Sequence, residues 1–425
     1  MAIYYVLVDL NAAYVGFVAL FNPQLTGRPL GVLSSNQGNV IARNQQIKDL
    51  GVKMADPAFT VKPLIKKHGG HLWGSNFTLF GDMSNRFHTE LEAMVIEPVR
   101  YSVDEGFGFL DTNCMGDLKE YSTLIKQTIL KNIGLEVSVG VGRTKTLAKV
   151  ASWLSKEKKW KETTKGIVVL DSLEKENWVL QRMPVSDVWG CGPKTTAKLD
   201  RHAIRTAMTL RDSDLKFMQS KYGVVIERTI LELRGVNAID LKSSSEPREQ
   251  ICVSQSMGIE VQDLSVLMSS LSSHVKEAAL KLRRQHSWCR KITVFIGTNA
   301  FKSTEPQYHQ NLSIELPQAT QSTIILTKYA LFVLERVFIE GYSYRKTGIV
   351  LSQLDVVKEK QGDLFSADFD SDTSIIDNVS DTINSKFGKD TIKLGSEGFS
   401  QAWKPRDELA PPSYTTDINE IPTAL

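Results

Sequence analysis

At 425 residues the chain is too long for one hydrophobic core and suits about three domains of ~150 residues each. Its composition, 42% hydrophobic, 8% aromatic and 23% charged, excludes collagen-like, coiled-coil and wholly disordered chains. The net charge of +3 is unevenly placed: residues 357–425 hold 7 basic and 13 acidic side chains, leaving an excess of nine positive charges on residues 1–356. A basic body with an acidic tail fits a polyanion partner for the body and a different partner for the tail, although such an excess is also common on proteins that never meet nucleic acid.

In chain order, Tyr4 to Val8 reads as a buried strand that delivers Asp9 at its C-terminal end. A helix follows over Asn11 to Phe21, closed by Pro23, and then a short strand over Pro29 to Leu33. Asn44 is placed to cap a helix through Lys48 that stops at Gly51. Phe87, Leu91 and Met94 have helical spacing within Ser84 to Met94. Val99 to Leu110 alternates instead, with Gly106 and Gly108 marking a bend or bulge. A helix over Asp117 to Asn132, a strand over Leu135 to Val141, a helix over Thr144 to Ser155 and a strand over Ile167 to Leu170 complete an α+β layer with its acids on one edge. Short helices occupy Leu173 to about Val236, including Val224 to Arg234. The polar stretch Asp240 to Gln250 is the best linker in the chain. Beyond it, strands over 251–258, 291–297 and 344–351 alternate with helices over 264–284 and 320–339, a separate α/β sandwich of about 110 residues. The tail from 357 is polar and acidic and is expected to be loosely ordered.

The four cysteines (Cys114, Cys191, Cys252, Cys289) form no C-x-x-C pair, so buried thiols in a reducing cytosol are expected rather than a disulfide framework or zinc ribbon. The run Ile3 to Val8 is too short for a signal peptide, and nothing approaches 18 consecutive apolar residues. A cytoplasmic protein with no membrane partner is the expectation.

Asp9 at a strand end and the adjacent Asp104 and Glu105 are the sharpest chemical signal. Three converging carboxylates repel unless cations hold them, and hard oxygen ligands suit Mg²⁺, two ions of which can activate a hydroxyl and steady a leaving phosphate. By spacing alone the plainer reading, turn residues and a helix cap, is the stronger. From Gly142 to Gly166 there are eight basic residues against Glu157 and Glu162. Lys145 and Lys149 share a helix face after a glycine-containing turn, where phosphate could meet backbone amides, while Lys156 to Lys161 reads equally as a solvated face. Gly190-Cys191-Gly192-Pro193-Lys194 before a helix has the form of a helix-hairpin-helix, which grips a DNA backbone without reading sequence, or of an ordinary helical hairpin. Gln361-Gly362-Asp363-Leu364-Phe365 could drop two apolar side chains into a partner's groove, though a bare pentapeptide is a weak signal. The seven histidines show no ligand spacing and read as structural or surface residues.

Taken together, Asp9-Leu10-Asn11-Ala12-Ala13-Tyr14, Val40-Ile41-Ala42-Arg43-Asn44, Gly51-Val52-Lys53-Met54, Asp82-Met83-Ser84-Asn85-Arg86, Tyr101-Ser102-Val103-Asp104-Glu105 and Thr144-Lys145-Thr146-Leu147-Ala148-Lys149 resemble the Y-family translesion DNA polymerases, and within them the UmuC branch. The resemblance continues through Glu227-Arg228-Thr229, Glu232-Leu233-Arg234-Gly235 and Tyr344-Arg345-Lys346-Thr347-Gly348 to Ser413-Tyr414-Thr415-Thr416, and so covers essentially the whole chain. It implies an α+β multidomain right hand: palm (1–10 and 76–170), fingers (11–75), helical thumb with the helix-hairpin-helix (171–237), linker (238–250), α/β little finger (251–356) and a flexible acidic tail (357–425). It further implies that Asp9, Asp104, Glu105 and the Leu10 carbonyl hold two Mg²⁺ ions, that Tyr14 is a steric gate against ribose, and that Arg43, Lys48 and Lys149 neutralise the triphosphate. Gly190, Gly192 and Lys194 would contact DNA, and Gln361, Leu364 and Phe365 would bind a sliding clamp. Partners implied are primer-template DNA, deoxynucleoside triphosphates, the clamp, a UmuD dimer and a RecA filament.

Departures from that pattern lie near the nucleotide pocket. Ala13 stands where a second aromatic is usual, Val15-Gly16-Phe17-Val18 replaces Ala-Ser-Cys-Glu, and Gly106 replaces Ala. They bear on sugar discrimination, rate and fidelity. The implied function is error-prone translesion synthesis in the SOS response to DNA damage; the length leaves no room for a proofreading exonuclease. The rivals are a catalytically silent DNA- and clamp-binding scaffold of the same fold, and a phosphatase using Asp9, which would want an acid where Asn11 stands.

Overall fold

The computed structural model describes residues 3–35, 38–241, 247–302, 304–355, 371–405 and 408–422. The chain divides into two units, 1–246 with 407–425, and 247–406. Twelve strands among the described residues, numbered in chain order, form three sheets.

In the first unit β1 (Ile3–Leu10) is the centre of a five-stranded sheet ordered β5-β6-β1-β7-β8. Its β-branched run is buried on both faces, as a central strand requires. β6 (Glu105–Asp111) and β7 (Val137–Gly142) flank it antiparallel; β5 (Ile96–Arg100) edges β6, and β8 (Ile167–Val169) runs parallel to β7. One face of the sheet packs Val6, Val8, Val139 and Val141 against Phe80, Phe87 and Leu91 of the helix Phe77–Glu92 and Ile125 and Ile129 of the helix Leu118–Ile133. Across the other face lies the helix Lys145–Lys156, whose Ala148 packs with Tyr5, Leu7 and Phe107. That helix comes so close to β7 that a Cβ on Gly140 would stand 2.3 Å from the Ala148 carbonyl oxygen. A second, small sheet, β3 (Val40–Arg43)-β2 (Leu30–Leu33)-β4 (His71–Trp73), has its own core of Leu33, Val40, Ile47, Val61 and Ile65.

The alternating stretch 99–110 is not one strand. β5 and β6 make a hairpin whose tip is Tyr101 to Asp104; Gly106 and Gly108 lie inside β6, and the β5–β6 register shifts between Ile96 and Val99, a bulge opposite Gly108. The glycines are there because neighbours crowd them: a Cβ on Gly106 would be 2.4 Å from Leu91 Cδ2, and one on Gly108 would be 2.4 Å from Val95 Cγ2.

Five helices between Leu173 and Leu233 pack around Leu180, Leu199, Leu210 and Ile230. Two buried carboxylates fix them to the sheet layer. Glu176 accepts a bidentate pair from Arg143 at 2.8 and 2.7 Å. Glu232, with no exposed surface, accepts from the Thr146 amide at 3.0 Å and from the Ala238 and Ile239 amides at 2.9 and 3.1 Å.

The second unit is an antiparallel sheet, β11 (His309–Thr320)-β10 (Trp288–Thr298)-β12 (Tyr344–Asp355)-β9 (Ile251–Val261), with the helices Leu264–Arg284 and Thr323–Val337 on one face. Sequence reading missed β11, an edge strand whose alternation is diluted by polar residues on both faces, His309-Gln310-Asn311 at its start.

The tail is not loosely ordered over its described residues. Ser371–Phe387 is helical, and Asp381 accepts a bidentate pair from Arg283 at 2.7 and 2.9 Å while Asp377 caps the Thr323 amide at 3.0 Å. Trp403 is buried, donating to Ser269 Oγ at 3.1 Å. Four of the tail's 13 acids, Asp377, Asp381, Asp390 and Glu397, are paired with basic groups of this same chain, Arg283 and Lys276. Residues 408–422 pack on the first unit: the Leu409 carbonyl accepts from Gly74 N at 2.7 Å and Tyr414 stacks on Phe21 at 4.6 Å. The pentapeptide Gln361 to Phe365 lies outside the described residues.

Candidate active site

The pairing register of β1 and β6 sets Asp9 directly opposite Glu105. Asp104 belongs to the hairpin tip, whose carbonyl accepts from Leu10 N at 2.9 Å, so the ends of two neighbouring strands carry all three acids. The tip is held from both sides. Ser102 Oγ donates to Asp104 Oδ1 at 2.6 Å, Ser84 Oγ to the Val103 carbonyl at 2.6 Å, and His88 Nε2 lies 2.8 Å from the Ser102 carbonyl. Burial lowers the basicity of the His88 ring, so it serves as a neutral donor to that carbonyl.

Cations already neutralise the acid pair. Lys149 Nζ is 2.9 Å from Glu105 Oε2, and Lys156 Nζ is ion-paired with Asp9. Burial drives the Asp9 carboxyl up to about 7 against the pull of the Lys156 charge, and its hydrogen bond with Glu105 adds to the rise. Glu105 is held low, in spite of its own burial, by its hydrogen bond with Asp9 and by Lys149. Additional positive charge beside the pair would favour ionisation of both acids. Among the described residues, no three acidic, histidine or cysteine side chains converge closely enough to ligate one ion. In this arrangement the lysines stand in for cations. The donor set, all carboxylate oxygen, suits a hard divalent ion such as Mg²⁺.

Beside the acids is a cavity of about 250 Å³ lined by Ala12, Ala13, Tyr14, Ile41, Ala42, Arg43, Lys48, Met54 and Asp104. Four of the predicted residues therefore meet around one space. Arg43 ends β3 and donates to the Val52 carbonyl at 2.5 Å, while its buried Nε has no partner. Tyr14 stacks on Phe80 with ring centroids 4.6 Å apart and meets Phe77 edge-on at 6.3 Å.

Residues 8–153 match the impB/mucB/samB family, residues 248–364 match that family's C-terminal domain, and residues 376–424 match DUF4113, a domain of unknown function. Protein UmuC of Salmonella typhimurium strain LT2 is 34% identical, over 98% of this chain and 99% of its own. The chain belongs to the UmuC family. Protein MucB of Escherichia coli is likewise 34% identical, over 99% of each chain. A Y-family DNA polymerase chimera of Dbh and Dpo4 superposes with a TM-score of 0.67 at 20% identity, over 83% of this chain and 100% of the other, so the fold is that of a Y-family polymerase.

In this UmuC-family chain Lys149 sits apart from the cavity, in a cage of Tyr101, Trp189 and Phe107 with its ammonium 4.6, 5.4 and 5.8 Å from their rings. Lys156 is the residue that sequence reading undervalued. The signal was seven-residue spacing from Lys149 on one helix, two turns that place both ammoniums over the sheet end. Ser84 and His88, four apart on the helix Phe77–Glu92, were also missed. Gly190 has φ of 90° and Gly192 caps the helix Pro193–Asp200, with Lys194 exposed. The departures acquire physical reasons: Phe17 and Val18 have no exposed surface in the core, where a carboxylate would be stranded, and His88 and Leu91 fill the space beside Gly106. Asn11 Oδ1 accepts from Ser138 Oγ at 2.7 Å, and as an amide the side chain has no carboxyl proton to supply where a phosphatase would need a second acid.

Proposed function

We infer that this chain is an error-prone, template-directed DNA polymerase of the translesion type. The observation that carries the reading is the cross-strand opposition of Asp9 and Glu105, with Asp104 reaching from the same edge into the cavity that Tyr14, Arg43 and Lys48 line. We assign 1–10 and 76–170 as palm, 11–75 as fingers, 171–237 as thumb, 238–250 as linker, 251–356 as little finger and 357–425 as tail. Asp9, Asp104, Glu105 and the Leu10 carbonyl would hold two Mg²⁺ ions, whose chemistry when bound is to acidify the primer 3′-hydroxyl and offset charge on the departing pyrophosphate. Arg43 and Lys48 bind the triphosphate from the fingers side. Lys156, whose ammonium pairs with Asp9, would be available to the phosphates where cations hold the acids, and Lys149 keeps Glu105 oriented within its aromatic cage. Tyr14 sets its ring beneath the sugar and leaves no room for a 2′-hydroxyl. Gly190, Gly192 and Lys194 grip the DNA backbone.

The basic body accounts for a nucleic acid partner, and among the described residues no helix is long and apolar enough to cross a membrane. Cytoplasmic location, SOS expression, clamp binding through Gln361, Leu364 and Phe365, and activation by a UmuD dimer and a RecA filament follow from family membership as proposals. Primer extension by the full chain in Mg²⁺, with and without those partners, tests the reading. Extension should vanish in Asp104→Ala and in EDTA; a wild-type protein that binds primer-template yet never extends it under any of these conditions establishes the silent scaffold instead.

A further inference from the structure

The returning C-terminal segment falls within the domain of unknown function and touches the small sheet and the two helices that hold Tyr14. At the exit of β4 the Leu409 carbonyl accepts from Gly74 N at 2.7 Å, and the Leu409 side chain packs on the core of the small sheet. At the start of the helix Phe77–Glu92 the Asn76 amide spends every bonding site. Its Oδ1 accepts from Thr78 N and Leu79 N, both at 3.1 Å, as a helix cap. Its Nδ2 donates to the Pro411 carbonyl at 2.8 Å and to Ser413 Oγ at 3.1 Å. Just beyond the helix Ala13–Ala19, Tyr414 stacks on Phe21, and its hydroxyl accepts from Asn22 Nδ2 at 3.3 Å. Asn22 closes that helix by donating to the Val18 carbonyl at 2.8 Å.

The two helices so joined are those that hold the tyrosine. Tyr14 lies in the first turn of Ala13–Ala19, and Phe80, on which it stacks, donates its amide to the Asn76 carbonyl at 3.0 Å. Adjacent residues Ser413 and Tyr414 thus pin one helix at its beginning and the other at its end. Sliding either helix along its axis would break the strap or the Tyr14–Phe80 stack. Pro411 and Pro412 stiffen the connection, since their fixed φ leaves little slack between the anchors.

We propose that residues 409–414 form a strap that sets the register of these two helices and thereby fixes the Tyr14 ring, making Ser413 and Tyr414 positioning residues for sugar selection. The proposal rests on Tyr14 being the gate. A protein with Ala13 in place of a second aromatic beside that gate has one ring to hold rather than two, and the strap supplies the missing rigidity.

Asn76→Asp isolates the effect. A carboxylate caps the helix as well as the amide does and can still accept from the Ser413 hydroxyl, but it cannot donate to the Pro411 carbonyl and sets oxygen against oxygen there, so that anchor is lost. Tyr414→Ala removes the second anchor from outside both helices. In full-length protein, the expected result for each is a fall of about fivefold or more in the preference for deoxy- over ribonucleotide, measured as a ratio of kcat/KM values, with thermal melting as a fold control and kcat for the deoxynucleotide within about twofold of wild type. Tyr14→Ala is the reference. If it relaxes sugar selection while Asn76→Asp and Tyr414→Ala keep the wild-type ratio, the strap is refuted and the gate stands; if Tyr14→Ala itself leaves the ratio unchanged, the gate reading falls and takes the proposal with it.

Discussion

Glu232→Gln tests whether one buried carboxylate locks the helical region to the sheet layer. The wild-type side chain accepts three backbone N–H bonds, from Thr146 on one oxygen and from Ala238 and Ile239 on the other. An isosteric amide has one acceptor oxygen. Turned toward Ala238 and Ile239, it presents its NH₂ to the Thr146 amide, donor against donor, at a helix start with no exposed surface. One charge-assisted bond of about 1.5–3 kcal/mol is lost, and two others fall to the neutral value of about 1 kcal/mol each. Relief from burying a charge offsets part of this, leaving a net cost of about 3 kcal/mol. At about 2–4 °C per kcal/mol for a unit of this size, melting should drop by roughly 6–12 °C by scanning calorimetry. A Gln variant that melts within about 1 °C of wild type would refute the reasoning.

Three further outcomes are expected. Lys156→Ala removes a phosphate partner, so KM for the incoming nucleotide should rise about tenfold or more in steady-state extension while primer-template affinity is unchanged. Gly106→Ala restores the residue usual in the resemblance but drives a methyl to 2.4 Å from buried Leu91; it should cost about 1–3 kcal/mol in urea unfolding, with Leu91→Val in the same chain recovering much of the loss. Burial holds the His274 ring down to about 4, below its ordinary 6.5. The unfolded chain therefore binds the extra proton first, and stability is full above pH 6.5 and declines as pH falls toward 4 by up to about 3 kcal/mol. His274→Gln should flatten that slope in urea titrations at pH 7 and pH 4.5.

The acids were legible because a buried β-branched strand must end somewhere, and Asp9 marks the end. Their partners were not, because a lysine that pairs across a sheet edge has the same sequence signature as one on a solvated face; only the close seat of the helix Lys145–Lys156 on Gly140 separates Lys156 from its neighbours. The tail was misjudged for a related reason. Acidic, polar composition argues for disorder when no partner is counted, but Asp377 and Asp381 meet Arg283 from a helix some ninety residues earlier, and Trp403 is one of very few large apolar side chains available to signal a buried anchor.

Tyr414 and Asn22 are separated by 392 positions along the chain. At ~5–20 residues per second on the ribosome, the surface around Phe21 and Asn76 waits on the order of 20–80 s after its own synthesis for Ser413 and Tyr414 to emerge and cover it. During that interval the nascent polypeptide exposes an unclosed apolar seam, so a prematurely terminated product would leave the ribosome with the same seam open and would be an early target for chaperones and proteases.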